Sequence, residues 1–177
     1  MKIGTNGWVS GVRRIASPNY DTRPPGTTIN LLVIHSINLP PGEFGGEAIT
    51  QLFTNTLDTG AHPYYAQLQG LKVSAHFLIR RDGKIIQFVS CCKRAWHAGA
   101  STWQGRTCCN DFSIGIELDG SDFVPFNDIQ YTVLVRLTRL LQRTYPVRAI
   151  AGHTDIAPGR KTDPGPCFSW SSYLAAL

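Results

Sequence analysis

The sequence predicts an α/β fold: a single domain over residues 1–177, with a central mixed β-sheet flanked by helices. Three observations predict it. The apolar run LLVIH (31–35) and the alternating SIGIEL (113–118) read as strands. SAHFLIRRDGKIIQFV (74–89) places two β-rich runs around an Asp-Gly turn signal. From Asp128 onward, apolar residues recur at helical spacing. A chain of 177 residues buries roughly 70% of its unfolded surface on folding, so it needs no disulfide staples.

Taken in order, residues 1–30 read as an irregular lead-in, because SPNYDTRPPGTTIN (17–30) is rich in Pro, Asp, Asn and Gly. LLVIH is a buried strand, and SINLPPGEFGG ends it with a long loop, so His35 sits where the strand emerges. In EAITQLFTNTLD, Ile49, Leu52, Phe53 and Leu57 line one face of a helix. Asp82-Gly83 suits a type I′ hairpin, in which both central residues take positive φ. The next helix places Ile129, Val133, Leu134, Leu137, Leu140 and Leu141 on one face and Arg136, Arg139 and Arg143 on the other. Asn127 can cap it, with Gln130 three residues later. Pro146 stops that helix, VRAIAGH makes a last strand, and SWSSYLAAL a closing helix. Between them, GHTDIAPGRKTDPGP (152–166) is polar, proline-stiffened and almost without apolar period, which predicts a loop.

Composition narrows the function. With 42% hydrophobic and 16% charged residues the chain is neither disordered nor fibrous. The net charge of +5 comes without a dense Lys/Arg run, which argues against a nucleic-acid partner and for a small ligand bearing carboxylates. No stretch approaches the roughly 18 apolar residues of a membrane span, and the start lacks a signal-peptide core. A soluble, cytoplasmic and monomeric protein is therefore expected. Five cysteines, arranged as Cys91-Cys92, Cys108-Cys109 and lone Cys167, suit reduced thiols, and they lack the C-x2-C spacing of a thiolate zinc site.

A hydrolytic zinc site needs three protein ligands and one open position. His153 follows a predicted strand as His35 does, and Asp163 lies ten residues further along the stiffened loop. Two histidines and a carboxylate would leave a fourth position for water. The spacing alone fixes no geometry, and each histidine alone also suits an ordinary hydrogen-bonded role. Glu117 stands inside an apolar alternating strand; it either faces solvent or is a buried carboxyl of raised pKa, the latter a suitable general base. Lys161, two residues before Asp163, leaves an extended backbone on the same side. WHAG (96–99) suits the wall of a polar ligand pocket or an ordinary core-edge turn, and His76 reads as a packed strand residue.

LLVIHSINLPPGEFGG, SAHFLIRRDGKIIQFV, RAWHAGAS, CNDFSIGIELDG and GHTDIAPGRKTDPGP together resemble the zinc-dependent N-acetylmuramoyl-L-alanine amidases. The likeness is greatest to members that act on 1,6-anhydro-muramyl peptides in cytosolic peptidoglycan recycling. It runs from about Ser17 to Trp170, with the motifs in order. The resemblance implies that His35, His153 and Asp163 hold Zn2+, that Glu117 accepts a proton and that Lys161 stabilises the transition state. It implies a small muropeptide substrate, contacted by Ser36, Lys72, Trp96 and His97. One departure is Cys108, where family members carry an arginine, so the resemblance implies a looser peptide preference. Peptidoglycan-recognition proteins of the same fold are the alternative, because some bind without cutting after losing a metal ligand.

Overall fold

The computed structural model describes residues 1–177. Its strands are β1 (Arg13–Arg14), β2 (Tyr20–Thr22), β3 (Leu31–Ile37), β4 (Phe77–Ile79), β5 (Ile85–Gln87), β6 (Lys93–Ala95), β7 (Thr102–Trp103), β8 (Arg106–Thr107), β9 (Ser113–Asp119) and β10 (Ala149–Gly152). Its α-helices are α1 (Ala48–Phe53), α2 (Asp128–Thr144), α3 (His153–Ile156) and α4 (Trp170–Ala175), with 3-10 turns at Pro63–Leu68 and Cys109–Asp111. The main sheet runs β1-β5-β4-β9-β3-β10. β4, β9, β3 and β10 are mutually parallel, whereas β5 is antiparallel to β4, so the sheet is mixed as expected.

All seven residues of β9 and the first five of β3 are buried. Parallel strands covered on both faces explain the near-continuous apolar runs of these segments. On one face Leu32, Ile34, Ile114, Ile116 and Leu118 meet Leu134, Leu137 and Leu141 of α2 and Tyr173 of α4. The opposite face is divided. At one side α1 packs Ile49, Leu52 and Phe53 against Leu78, Ile86 and Phe88. At the other, Leu31, Val33 and Ala151 meet Phe112 and Ile156. Strand alternation turns Ser113, Gly115 and Glu117 of β9 to this divided face, and they form a polar row between its two apolar clusters.

Several expectations are refined. The turn at Asp82-Gly83 is not type I′: only Gly83 has positive φ, and Arg80 and Lys84 close a three-residue loop through Arg80 N–H to Lys84 O at 2.9 Å. That is the type I turn plus bulge, the next most common hairpin solution. Residues 1–30, expected to be irregular, supply β1 at the sheet edge and β2, which pairs with β6. Ile129 lies on the apolar stripe of α2 but is 45% exposed, because it sits over the hairpin turn at Gly83. Gln130 accepts the N–H of Asn127 at 3.1 Å, as a capping residue would, and its buried amide donates to Ile79 O and Asp119 O. The Asn127 side chain itself is engaged by Arg81. The five cysteines are all free, and no helix is long and apolar enough to cross a membrane.

Leu134 has no exposure at the centre of the α2 contact. Leu134→Ala should cost about 2–5 kcal/mol in urea unfolding, while exposed Arg136→Ala should stay within about 0.5 kcal/mol. Equal effects would mean that α2 does not pack through this stripe.

Candidate active site

The carboxyl ends of β3, β9 and β10 meet at one edge of the sheet, the usual place for a ligand site in open α/β sheets. His35 of β3 pairs directly with Glu117 of β9, and Gly152 of β10 pairs with Ile34. His153 therefore starts one step beyond a strand whose neighbour carries His35.

These elements bring the predicted ligands together. His35 Nδ1 lies 3.0 Å from His153 Nδ1, and both lie 3.1 Å from Asp163 Oδ2. On its far side, His153 Nε2 faces the carbonyl of Ala98 at 3.3 Å. A carbonyl only accepts, so the ring proton of His153 sits on Nε2 and its Nδ1 lone pair points at the other two donors. Ligand atoms about 2.0–2.2 Å from a tetrahedral metal lie about 3.3–3.6 Å from one another, a few tenths of an ångström wider than the spacing found. Burial pulls the pKa of His35 down to about 4 despite the opposing influence of the adjacent Asp163. Burial pushes the carboxyl of Asp163 up, but its close approach to His153 and His35 prevails and holds it below the usual carboxylate range. A neutral imidazole and an ionised carboxylate are the forms that bind a divalent metal.

The loop that carries Asp163 is more ordered than its composition suggests. Its first four residues form α3, and Asp155 accepts the N–H of Gly152 at 2.7 Å. Thr154 N–H then donates to Asp163 O at 2.9 Å, which folds the end of the loop back onto its start. Arg160 anchors the middle by donating to Ala98 O at 2.9 Å and Ala100 O at 2.6 Å. Gly165, at φ +83°, completes the turn, and a Cβ there would lie 2.1 Å from Asp122 Oδ1.

Glu117 does not face open solvent. It is 8% exposed, and its Oε2 is buried without a hydrogen-bond partner. Burial, reinforced by the charge of Asp163 and opposed by Lys161, drives its carboxyl well above the ordinary pKa. A cleft of about 560 Å³ opens above it, bordered by Ser36, Lys72, Trp96, Lys161 and Asp163. The indole Nε1 of Trp96 is also unpartnered. A smaller cleft of about 350 Å³, bordered by Arg13, Lys84 and Arg136, lies elsewhere and holds no His, Cys, Asp or Glu.

His97 borders the cleft, as expected of a pocket wall, and both its ring nitrogens are also engaged inside the protein, Nδ1 with His35 Nε2 at 2.9 Å and Nε2 with Ser113 Oγ at 3.1 Å. Cys108, exposed at φ +58°, opens the 3-10 turn and does not border the cleft.

Sequence reasoning missed the residues beneath the site. Asn110 accepts the N–H groups of His97 and Ala98 at 3.1 and 2.8 Å. His76 accepts the N–H of Gly115 through Nδ1 at 3.0 Å and faces Lys93 O through Nε2. Buried Arg23 ties down the carbonyls of Asn110, Asp111, Cys91 and Ser113. The Ser-x-Gly-x-Glu alternation of β9 was the one local signal available.

Burial, followed by the charge of Arg23, lowers the pKa of His76 to about 3. The unfolded chain then takes up the proton first, so stability is lost as pH falls from about 6.5 towards about 3. In metal-free protein, His76→Asn should flatten this loss by up to about 1.4 kcal/mol per pH unit between about pH 6 and 4. Parallel curves for the two proteins in urea unfolding would contradict the assignment.

A sequence profile described as N-acetylmuramoyl-L-alanine amidase matches residues 25–166. The 1,6-anhydro-N-acetylmuramyl-L-alanine amidase AmpD of Escherichia coli (strain K12) is 57% identical over 169 residues, covering 94% of this chain and 92% of the relative. A crystal structure of a selenomethionine derivative of AmpD superposes with a TM-score of 0.97 at 53% identity, covering 100% of this chain and 99% of that one. The amidase AmiD from E. coli, solved with the substrate anhydro-N-acetylmuramic acid-L-Ala-D-gamma-Glu-L-Lys, gives 0.62 at 30% identity, with coverage of 87% and 60%. With the profile spanning most of its length and a relative of this identity covered almost end to end, the chain belongs to the N-acetylmuramoyl-L-alanine amidase family.

Proposed function

We propose that the chain is a zinc hydrolase that cuts the amide between the lactyl group of (1,6-anhydro-)N-acetylmuramic acid and L-alanine in small muropeptides, as a monomer in cytosolic cell-wall recycling. The observation that carries this reading is the convergence of His35 Nδ1, His153 Nδ1 and Asp163 Oδ2 beside the unpartnered carboxyl of Glu117. Family membership and the activity in the name of AmpD support the reaction. The substrate in the AmiD structure supports a muropeptide ligand. Five free cysteines support a reducing compartment.

His35, His153 and Asp163 would hold the zinc. Bound there, zinc supplies Lewis acidity, polarising the scissile carbonyl and making water acidic enough to attack at neutral pH. The remaining work falls to the chain. Glu117, buried where a negative charge is poorly solvated, takes the proton from the attacking water and passes it to the departing nitrogen of alanine as the C–N bond breaks. Lys161 reaches the cleft from the same loop as Asp163, and its ammonium offsets negative charge growing on the carbonyl oxygen. Ser36, Lys72 and the Trp96 indole bind the sugar and peptide, with Lys72 suited to a peptide carboxylate. His97 acts from beneath the first ligand.

A binder of the same fold has no use for a buried, unpartnered Glu117, and this chain retains all three donors. One zinc per chain is expected, with amide cleavage lost on chelation and restored by zinc. Glu117→Gln should keep the zinc while kcat on an anhydro-muramyl tripeptide falls about 10²–10⁴-fold. His153→Ala should lose metal and activity together. Lys161→Ala should lower kcat about 10²–10³-fold. Wild-type turnover by Glu117→Gln, followed by mass spectrometry of the released peptide, would remove Glu117 from the mechanism.

A further inference from the structure

A neutral histidine carries its one ring proton on either nitrogen, and only the other nitrogen can bind a metal. For His153 a backbone carbonyl decides which. No carbonyl faces the outer nitrogen of His35; that position is taken by another imidazole, His97, which by itself decides nothing.

The decision is made one residue further on. Ser113 Oγ lies 2.5 Å from the carbonyl of Cys109 and 3.1 Å from His97 Nε2. A carbonyl cannot donate, so the single hydroxyl proton of Ser113 goes to Cys109 O. The oxygen of Ser113 is then left as acceptor, and the neutral ring of His97 must carry its proton on Nε2. That leaves a lone pair on His97 Nδ1, 2.9 Å from His35 Nε2, so the proton of His35 must sit on Nε2. The lone pair of His35 Nδ1 is thereby turned toward His153 and Asp163.

We propose that Cys109 O, Ser113 and His97 form a proton-ordering relay that locks His35 in its Nε2–H tautomer, with Nδ1 prepared for the metal. Ser113 and His97 are positioning residues in this scheme, acting through His35.

The backbone is shaped around the relay. Gly115 lies directly beneath His97: a Cβ there would sit 2.4 Å from the ring Cγ and 2.5 Å from Nδ1. Its φ is not positive, so close approach of the ring, not backbone conformation, requires glycine. Asn110 fixes the other side by accepting the backbone N–H groups of His97 and Ala98. One strand thus presents Ser113 to end the relay, Gly115 to seat the ring and Glu117 to do the chemistry.

This inference rests on reading His35, His153 and Asp163 as the zinc ligands, and the test separates the two. Long-range proton–nitrogen NMR of zinc-free, nitrogen-15-labelled wild-type protein should show Nε2–H tautomers for both His35 and His97. In Ser113→Ala, which leaves His97 without its acceptor, the Nδ1–H form of His35 should gain population. Its zinc Kd, measured by chelator competition, should rise about 10–100-fold, and Ser113→Thr, which keeps the hydroxyl, should recover most of that loss. A purely structural role for Ser113 would lower the melting temperature without moving the tautomer. An Nδ1–H His35 in the wild type, or an unchanged Kd in Ser113→Ala, overturns the relay. A wild type that binds no zinc at these residues overturns the proposed function instead. The wild-type spectrum decides even if a variant fails to fold.

Discussion

The parallel pairing of β3 with β9 is the constraint on which the rest of the molecule depends. Seven residue pairs run in register from Leu31–Ser113 to Ile37–Asp119, and the fifth sets His35 beside Glu117. Side chains alternate across a sheet, so a slip of one residue would turn one strand inside out relative to the other. Leu32, Ile34, Ile114, Ile116 and Leu118 resist that slip, since each would leave the α2 core for a polar face. The hydrophobic effect on one face thus fixes the register, and the register places His35 next to Glu117 on the other.

The polar row of β9 also needs cover, because a parallel sheet is buried on both sides. Much of that cover comes from the segment around residues 96–110, held by side chains that read carbonyl and amide groups. Arg23 collects four backbone carbonyls, and Asn110 holds two amides. Irregular backbone satisfied in this way is as fixed as a strand. Rigid neighbours matter here, since a donor displaced by even an ångström binds metal poorly.

Much of the architecture was legible because strong periods report strong burial. LLVIH, SIGIEL and the α2 stripe became β3, β9 and α2, and the two histidines at strand ends with Asp163 in the stiff loop were brought together. The burial of Glu117 was not legible. Alternation says which residues share a face, whereas burial depends on what covers that face, and the cover is remote in sequence. The type I′ expectation at Asp82-Gly83 failed for a similar reason: the dipeptide permits positive φ at both residues, but the flanking strands need it only at Gly83. His97 reads as a pocket residue because WHAG has the composition of a ligand wall, and it does border the cleft. Nothing in that tetrapeptide shows that its imidazole ends between Ser113 and His35. Short edge pieces such as β1 and β2, of two and three residues, carry too little pattern to be seen at all.

Two carboxyls within one cleft are driven in opposite directions, and that divergence fits the different tasks proposed for them. Asp163 sits 3.1 Å from two imidazole nitrogens and is held ionised, whereas Glu117 has no donor for Oε2 and is pushed towards its neutral form. Part of the pressure on Glu117 is the negative charge of Asp163 itself. A divalent cation held by Asp163 would offset that charge, and the proposed site would then let Glu117 ionise more easily. The positive Lys161 acts on Glu117 in the same direction. Such coupling needs the two carboxyls to be near neighbours but differently solvated. The β3–β9 register places one on the sheet, and the folded-back loop after β10 delivers the other.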